Sequence, residues 1–404
     1  MVNDAAMIPS DSWPAVSTER LAWKPSVLYA LPAGRARLQA GPYQATIPAD
    51  IAAIADVPLT PATRSLVTEA AIEIARFDQE VGSDLAPFSA ILLRTESVSS
   101  SRIENLTASA KAIALAELGD ASRANAAVIV ANTTAMKAAI ALADHLDGTA
   151  LLAMHKALLG DAEPESAGKW RAVQNWVGGS DWSPHEAAFV PPQPSRITDA
   201  IRDLEQFLAR DDLPVLVQAA VAHAQFETIH PFTDGNGRTG RALIHSLLRA
   251  KGMTRKVTIP VSAGLLSNTR QYFDALSAYR DGNPEMIVER LANASFAAMN
   301  NGRALVEELR ALRSSWDEAI PARRGATAWR LADMLLNQPV VDSPIVQRQL
   351  GVTAPAALGA IDQLVKASIL VQVSGRQRYR RYSAPRVLEA LDAFAARAGR
   401  RGGL

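Results

Sequence analysis

The sequence predicts a mostly α-helical chain: an all-helical core with a β-hairpin flap, followed by a small helical domain that carries a hairpin. Three observations predict it. Hydrophobic residues make up 48% of the chain but aromatics only 5%, and alanine and leucine, which lose little side-chain freedom in a helix, are abundant. Apolar residues recur at helical spacing, as in Leu66, Ala70 and Ile74, and again in Val215, Ala219, Ala222, Phe226 and Ile229. Extended runs are short, one at 42–48 and one hairpin pattern after Ile369.

At 404 residues the chain exceeds one compact core, and about two or three domains are expected at roughly 150 residues each. Residues 1–60 are rich in Pro and Gly and read as an irregular arm laid over something larger. From 61 to 147 the pattern is helical. Residues 166–194 break it with Gly168, Gly178, Gly179, Ser183-Pro184 and Pro191-Pro192, a long loop or hairpin of the kind that is more often functional than idle. Helical spacing returns at 197–208 and 215–229, and 304–319 reads as a helix leading out, ended by Pro321 and Gly325. The expected partition is an arm at 1–60, a core domain at 61–300, a connecting helix and linker at 301–325, and a separate unit at 326–404. That last unit shows a short helix at 327–336, then one with a Ser343 N-cap, Pro344 at its first position and Gly351 as its stop. A third helix runs over 353–367. A hairpin follows, with runs at 369–373 and 377–382 around the turn Ser374-Gly375. Three short helices and a hairpin resemble a winged helix-turn-helix.

Composition excludes several functions. With no cysteine there is no disulfide, thiolate nucleophile, iron–sulfur cluster or cysteine-held zinc. A net charge of +1 gives no global attraction to nucleic acid. The N-terminal stretch lacks a basic start followed by an apolar run, so no signal peptide is expected, and no segment reaches about 18 uninterrupted apolar residues. A cytoplasmic chain without membrane contact is the expectation.

The chemistry concentrates in His230-Pro231-Phe232-Thr233-Asp234-Gly235-Asn236-Gly237-Arg238-Thr239-Gly240-Arg241, a tight loop between two apolar helices. Gly235 and Gly237 let the backbone take open φ values close to a ligand. Backbone N–H groups at the start of the second helix favour an anion. Arg238 and Arg241, three apart, can both reach it. Asp234 can hold a magnesium ion bridging phosphate oxygens. His230 is the group nearby suited to taking a proton at neutral pH. The same residues spell G-x-G-x-x-G, but that fingerprint needs a preceding strand and an acidic residue about 20 positions later. Here a helix precedes it, and 251–272 contain no Asp or Glu. A zinc site from His223, His230 and Asp234 matches no known ligand spacing.

The stretch 230–241 resembles, at every fixed position, the H-x-F-x-[DE]-G-N-G-R-x-x-R signature of the Fic family. Similar runs flank it: Gly168-Lys169-Trp170-Arg171, Asn175-Trp176-Val177-Gly178-Gly179 and Phe189-Val190-Pro191-Pro192 before, and Asn268-Thr269-Arg270-Gln271-Tyr272-Phe273 with Leu276 after. The resemblance covers roughly residues 60–295. It implies an ATP- and Mg²⁺-dependent adenylyltransferase that moves AMP from ATP onto a hydroxyl side chain of a target protein. Carried over by position, His230 is the general base and Asp234 the Mg²⁺ ligand. Gly235, Asn236 and Gly237 cradle the α- and β-phosphates, Arg238 braces the triphosphate and Arg241 grips the γ-phosphate. Tyr272 lies against the adenine or packs as a core tyrosine. Residues 178–190 become a flap that takes the target's backbone as an added strand, and Phe232 packs inward. Relatives that phosphorylate tend to carry lysine at the second signature glycine, which Gly237 argues against; phosphocholine transfer stays open.

Upstream, 94–106 reads as a capped helix, and Ser100, Glu104 and Asn105 resemble the family's inhibitory motif [ST]-x-x-x-E-[GN]. The resemblance implies that Glu104 pairs with Arg241, excludes the γ-phosphate and restrains the enzyme. Whether Glu104 also helps to remove AMP stays open. Arg102 reads as solvated. In the tail, eight arginines stand between 376 and 401 against Glu389 and Asp392. Non-specific DNA contact through the wing, a homodimer or partner interface, and a plain solvated face stay open. The helix that would enter a groove offers almost nothing to base edges. The alternative function is a DNA-binding regulator with a nucleotide-sensing core.

Overall fold

The computed structural model describes residues 12–23, 41–82, 88–120, 122–160, 162–180, 182–323, 325–373 and 380–399. It is mostly helical, as the composition predicts. The chain divides into two compact units that interleave along the sequence: residues 1–68, 138–251 and 270–292 form the first, and 69–137, 252–269 and 293–404 the second. Among the described residues no helix is long and apolar enough to cross a membrane.

The first unit opens with an antiparallel ribbon, β1 (Ser17–Leu21) paired to β2 (Tyr43–Ile47) with Ser17 opposite Ile47 and Leu21 opposite Tyr43. The start of the described arm is tied down ahead of β1. Val16 N–H donates to Arg280 O at 2.8 Å, and Trp13 packs on Tyr279 with ring centroids 5.8 Å apart. Helix α1 (Pro61–Gly82) carries the chain into the second unit.

In the second unit, α2 (Phe88–Ile103) is followed by α3 (Ala110–Ala116) and α4 (Ala124–Ala141). Helix α4 returns to the first unit, where α5 (Gly148–Leu159), α6 (Ile197–Leu208), α7 (Val215–Ile229) and α8 (Asn236–Ala250) build the helical layer. Helix α6 is amphipathic and buries Ile197, Ile201, Leu204, Phe207 and Leu208. Helix α7 is buried all round from Leu216 to Ile229, the signature of a central helix. Its alanines let α8 approach closely: a Cβ on Gly240 of α8 would lie 2.9 Å from Phe226 Cδ1, so that position accepts no side chain without a shift.

Helix α9 (Val261–Leu266) belongs to the second unit, and α10 (Thr269–Arg280) to the first. Helix α11 (Glu285–Ser315) runs unbroken, so the helix expected at 304–319 starts far earlier; no proline falls within 285–315, and Gly302 is accommodated inside the helix. The last part of the second unit holds α12 (Thr327–Asn337), β3 (Val340–Val341), α13 (Ser343–Leu350), α14 (Ala354–Lys366), β4 (Val371–Gln372), β5 (Tyr382–Ser383) and α15 (Pro385–Ala398). The three strands form an antiparallel sheet in the order β3-β5-β4. The cap of α13 is Asp342, whose carboxylate accepts Ile345 N–H at 2.9 Å. The sequence reading put it on Ser343, one residue late, because both side chains are good caps and only the backbone decides. Gly351 ends α13 in the left-handed region at φ 63°. The expected turn Ser374-Gly375, with Arg376, Arg378, Tyr379, Arg400 and Arg401, lies outside the described residues.

Candidate active site

Helix α7 ends at His230, which takes the left-handed conformation at φ 48° while its N–H still donates to Phe226 O at 2.9 Å. The chain then turns through Pro231 to Asp234 and re-enters helix after Gly235, at φ 74°. A Cβ on Gly235 would lie 2.9 Å from Leu158 Cδ2, so glycine is needed for both space and torsion. Gly237, expected to share that duty, is ordinary helix; the second left-handed residue is His230 itself.

Aromatic packing fixes the loop. Phe232 is fully buried, stacked on His155 of α5 at 3.7 Å and 4° and on Trp170 at 5.0 Å. His155, which the sequence reading passed over, accepts Gly168 N–H on Nδ1 at 2.9 Å, so Nε2 carries the proton and donates to Asp234 O at 3.0 Å. Its pKa is lowered, chiefly by burial. Asn236 turns inward: Oδ1 accepts Phe232 N–H and Nδ2 donates to Phe232 O. Its side chain is thus spent on the loop, leaving only its backbone for the phosphate cradle expected of it.

Two guanidinium groups stand on the first two turns of α8. Arg238 and Arg241 are 3% and 2% exposed, and Arg238 Nη2 pairs with Asp234 Oδ2 at 3.1 Å. Asp234 itself is open, with its side chain 57% exposed. The His230 side chain is 18% exposed, with Glu227 Oε2 3.8 Å from Nδ1. Burial, reinforced by the charges of Arg171 and Arg280, pushes the His230 pKa down to about 3. Its imidazole is neutral at physiological pH and can accept a proton. His223, one helix face away, is likewise pushed down to about 3 by burial and by Arg241. Its Nε2 meets the Tyr272 hydroxyl at 2.8 Å. Tyr272 is fully buried, so it takes the core role and offers no open face to an adenine.

The flap is held at its base. Val177 bridges Phe189 and Ser180 bridges Ser183, with a short 3₁₀ turn at Pro184–Glu186 between them; Asp181 lies outside the described residues. Arg280 lies 3.6 Å above the Phe189 ring. Thr46 N–H of β2 donates to Val190 O at 3.0 Å, so the arm borders the flap.

Ser100, Glu104 and Asn105 belong to the second unit. Helix α2 stops at Ile103, and Asn105 takes φ 61°. Ser101 O accepts the N–H groups of Glu104 and Leu106 at 3.1 Å each, a left-handed helix end. Ser100 is fully buried, Glu104 half-buried. Arg102, expected in solvent, is half-buried and donates to Ala395 O; burial lowers its pKa. Helix α15, which supplies that acceptor, was not foreseen.

Residues 145–248 match the model of the Fic/DOC family. Protein adenylyltransferase fic-1 of Caenorhabditis elegans is 30% identical over 152 residues, 37% of this chain and 27% of that protein. Its namesake in Caenorhabditis briggsae is 33% identical over 149 residues, 37% and 27% of the two chains. This chain therefore spans about a quarter of the length of the curated relatives it matches. A crystal structure of a Fic family protein from Desulfovibrio desulfuricans G20 aligns over 81% of this chain and 96% of its own, with TM-score 0.51 at 20% identity, a likeness of fold. The helix–loop–helix around His230 lies within the stretch that matches the Fic/DOC family model.

Proposed function

We propose that the chain is a protein adenylyltransferase that moves AMP from ATP to a Ser, Thr or Tyr hydroxyl of a target protein, and to itself. The observation that carries this reading is the complete 230–241 signature, with a neutral imidazole at the rim of a glycine-opened turn and two buried guanidinium groups on the following helix. His230 takes the proton of the acceptor hydroxyl, whose oxygen forms a bond to the α-phosphorus. The bond from that phosphorus to the oxygen bridging the β-phosphate breaks, and pyrophosphate leaves with the electron pair. Arg238 and Arg241, with the N–H groups at the start of α8, stabilise the phosphate charge. Such transfer depends on positioning and charge more than on covalent chemistry.

Mg²⁺ fits the residues at hand. It retains water and is bound through one or two carboxylates plus substrate phosphates, and Asp234 offers an exposed carboxylate of which one oxygen pairs with Arg238. The ion would neutralise phosphate charge and orient it.

Glu104 is proposed to restrain the enzyme by pairing with Arg241 and occupying the γ-phosphate's place. The flap at 178–190 is proposed to take the target backbone, and 326–404 to be a winged helix-turn-helix. The DNA-binding alternative is the weaker reading, because α14 exposes Leu358 beside Gly359 and Ala356 where base-reading side chains belong.

Incubation with α-labelled ATP tests the central reading: label appears on the wild-type chain and is lost in His230→Ala. Label transfer surviving that change removes His230 as the base. For the brake, Glu104→Gly is expected to raise self-labelling strongly; unchanged labelling sinks it.

A further inference from the structure

Arg171 lies between α5 and the flap and is 4% exposed. Its backbone N–H donates to Pro231 O at 2.9 Å. Its guanidinium donates from three nitrogens to three carbonyls: Nε to His230 at 2.9 Å, Nη1 to Val173 at 3.1 Å and Nη2 to Pro192 at 2.6 Å. These acceptors come from the end of α7 and from the two sides of the flap base. None is a carboxylate. Removing a guanidinium from water with only neutral partners is costly, and no side chain with fewer donors can reach three diverging acceptors.

The cost coincides with a strained residue. His230 is a non-glycine residue at φ 48°, a strained conformation that persists only where the surroundings impose it. Two of the four Arg171 bonds fall on that residue and the next.

We propose that Arg171 is a positioning residue: it holds the His230 backbone in its left-handed cap and ties that cap to both sides of the flap base. Arg171 then sets the spacing between the imidazole and the flap base. The catalytic consequence rests on the AMP-transfer reading; the linkage itself does not.

The test uses the full chain carrying Arg171→Lys, in the wild-type background and with Glu104→Gly. With six histidines in the chain, ¹⁵N-histidine labelling resolves the His230 ring once its signals are identified with His230→Ala. Arg171→Lys is expected to shift the His230 ring signals and to speed amide hydrogen exchange across the flap. AMP transfer at saturating ATP should fall by about tenfold to a hundredfold, with the KM for ATP within about twofold. Unmoved His230 signals together with unmoved flap exchange overturn the proposal, as does transfer at the wild-type rate. If the wild-type chain transfers no AMP while Arg171→Lys still shifts the His230 ring, the function reading fails and the linkage stands. Should Arg171→Lys not fold, Arg171→Gln, which keeps a planar two-donor end, is read by the same measurements.

Discussion

Asn236 holds the backbone of Phe232 on both sides, accepting its N–H on Oδ1 at 2.9 Å and donating from Nδ2 to its carbonyl at 2.8 Å. The first residue of α8 thereby closes the loop that begins at His230, and Asn175 adds a second donor to the same carbonyl at 2.9 Å. Asparagine is required because the pair needs one acceptor and one donor at fixed spacing.

Asn236→Asp keeps the volume and replaces the donor by a carboxylate oxygen facing a carbonyl. Both the lost bond and the buried charge destabilise the loop, and a loss of about 1–3 kcal/mol is expected. Urea unfolding at pH 7 measures it. A variant as stable as wild type would mean the aromatic stack of Phe232 and the bonds from Asn175 and Arg171 suffice to hold the loop.

How far the sequence reaches is visible in this loop. The helix–loop–helix and its ligand-facing residue types were legible, because a dozen contiguous residues carry glycine, carboxylate, imidazole and guanidinium at set spacing. What each side chain touches was not. Asn236 reads as a ligand-facing amide and turns inward. Gly237 reads as a hinge, and the left-handed position falls on His230, a residue type that rarely adopts it. Tyr272 and His223 satisfy each other in the core across 49 positions of sequence, a pairing that no periodicity announces. His155 sits in a segment of ordinary composition and Arg171 in one of the runs that resemble the family, and only the packed fold shows that both reach the loop. Arg102 reads as solvated because its acceptor lies on α15, 293 positions away.

Acid should unfold the protein earlier than its carboxylates dictate. His223 and His230 are pushed down to about 3, burial being the main cause, while the unfolded chain takes up their protons near pH 6.5. A group depressed on folding binds more protons unfolded, so stability is full above about 6.5 and falls as pH drops. Each histidine contributes a slope of about 1.4 kcal/mol per pH unit, or roughly 2 kcal/mol between pH 7 and 5. Asp120, held at about 2 mainly by Ser122, and Asp212, held there mainly by Arg210, act only below about pH 4.5. Urea midpoints at pH 7, 6 and 5 read the slope, and His223→Gln should reduce it by one proton's share. A flat profile over that range means both rings take up protons in the folded state as readily as in the unfolded chain.

The ribbon and the flap give the last expectation. Thr46 stands opposite Thr18 in the β1–β2 pair, yet its N–H donates to Val190 O at 3.0 Å. A strand residue whose N–H points to one neighbour cannot use it on the other, so Thr18 and Thr46 form the non-hydrogen-bonded type of pair. Thr46→Pro therefore removes the bond to the flap and leaves the ladder to β1 without a missing donor, though proline's fixed φ strains the strand locally. Faster hydrogen exchange is expected in peptides spanning 186–193, with β1 protected as before. His185, whose Nε2 lies 3.0 Å from Gly41 O, and Trp23, edge-on to Trp176 at 5.5 Å, are further links between the same two segments. Exchange at 186–193 that stays at the wild-type rate in Thr46→Pro means these links suffice and the strand bond adds nothing to the flap.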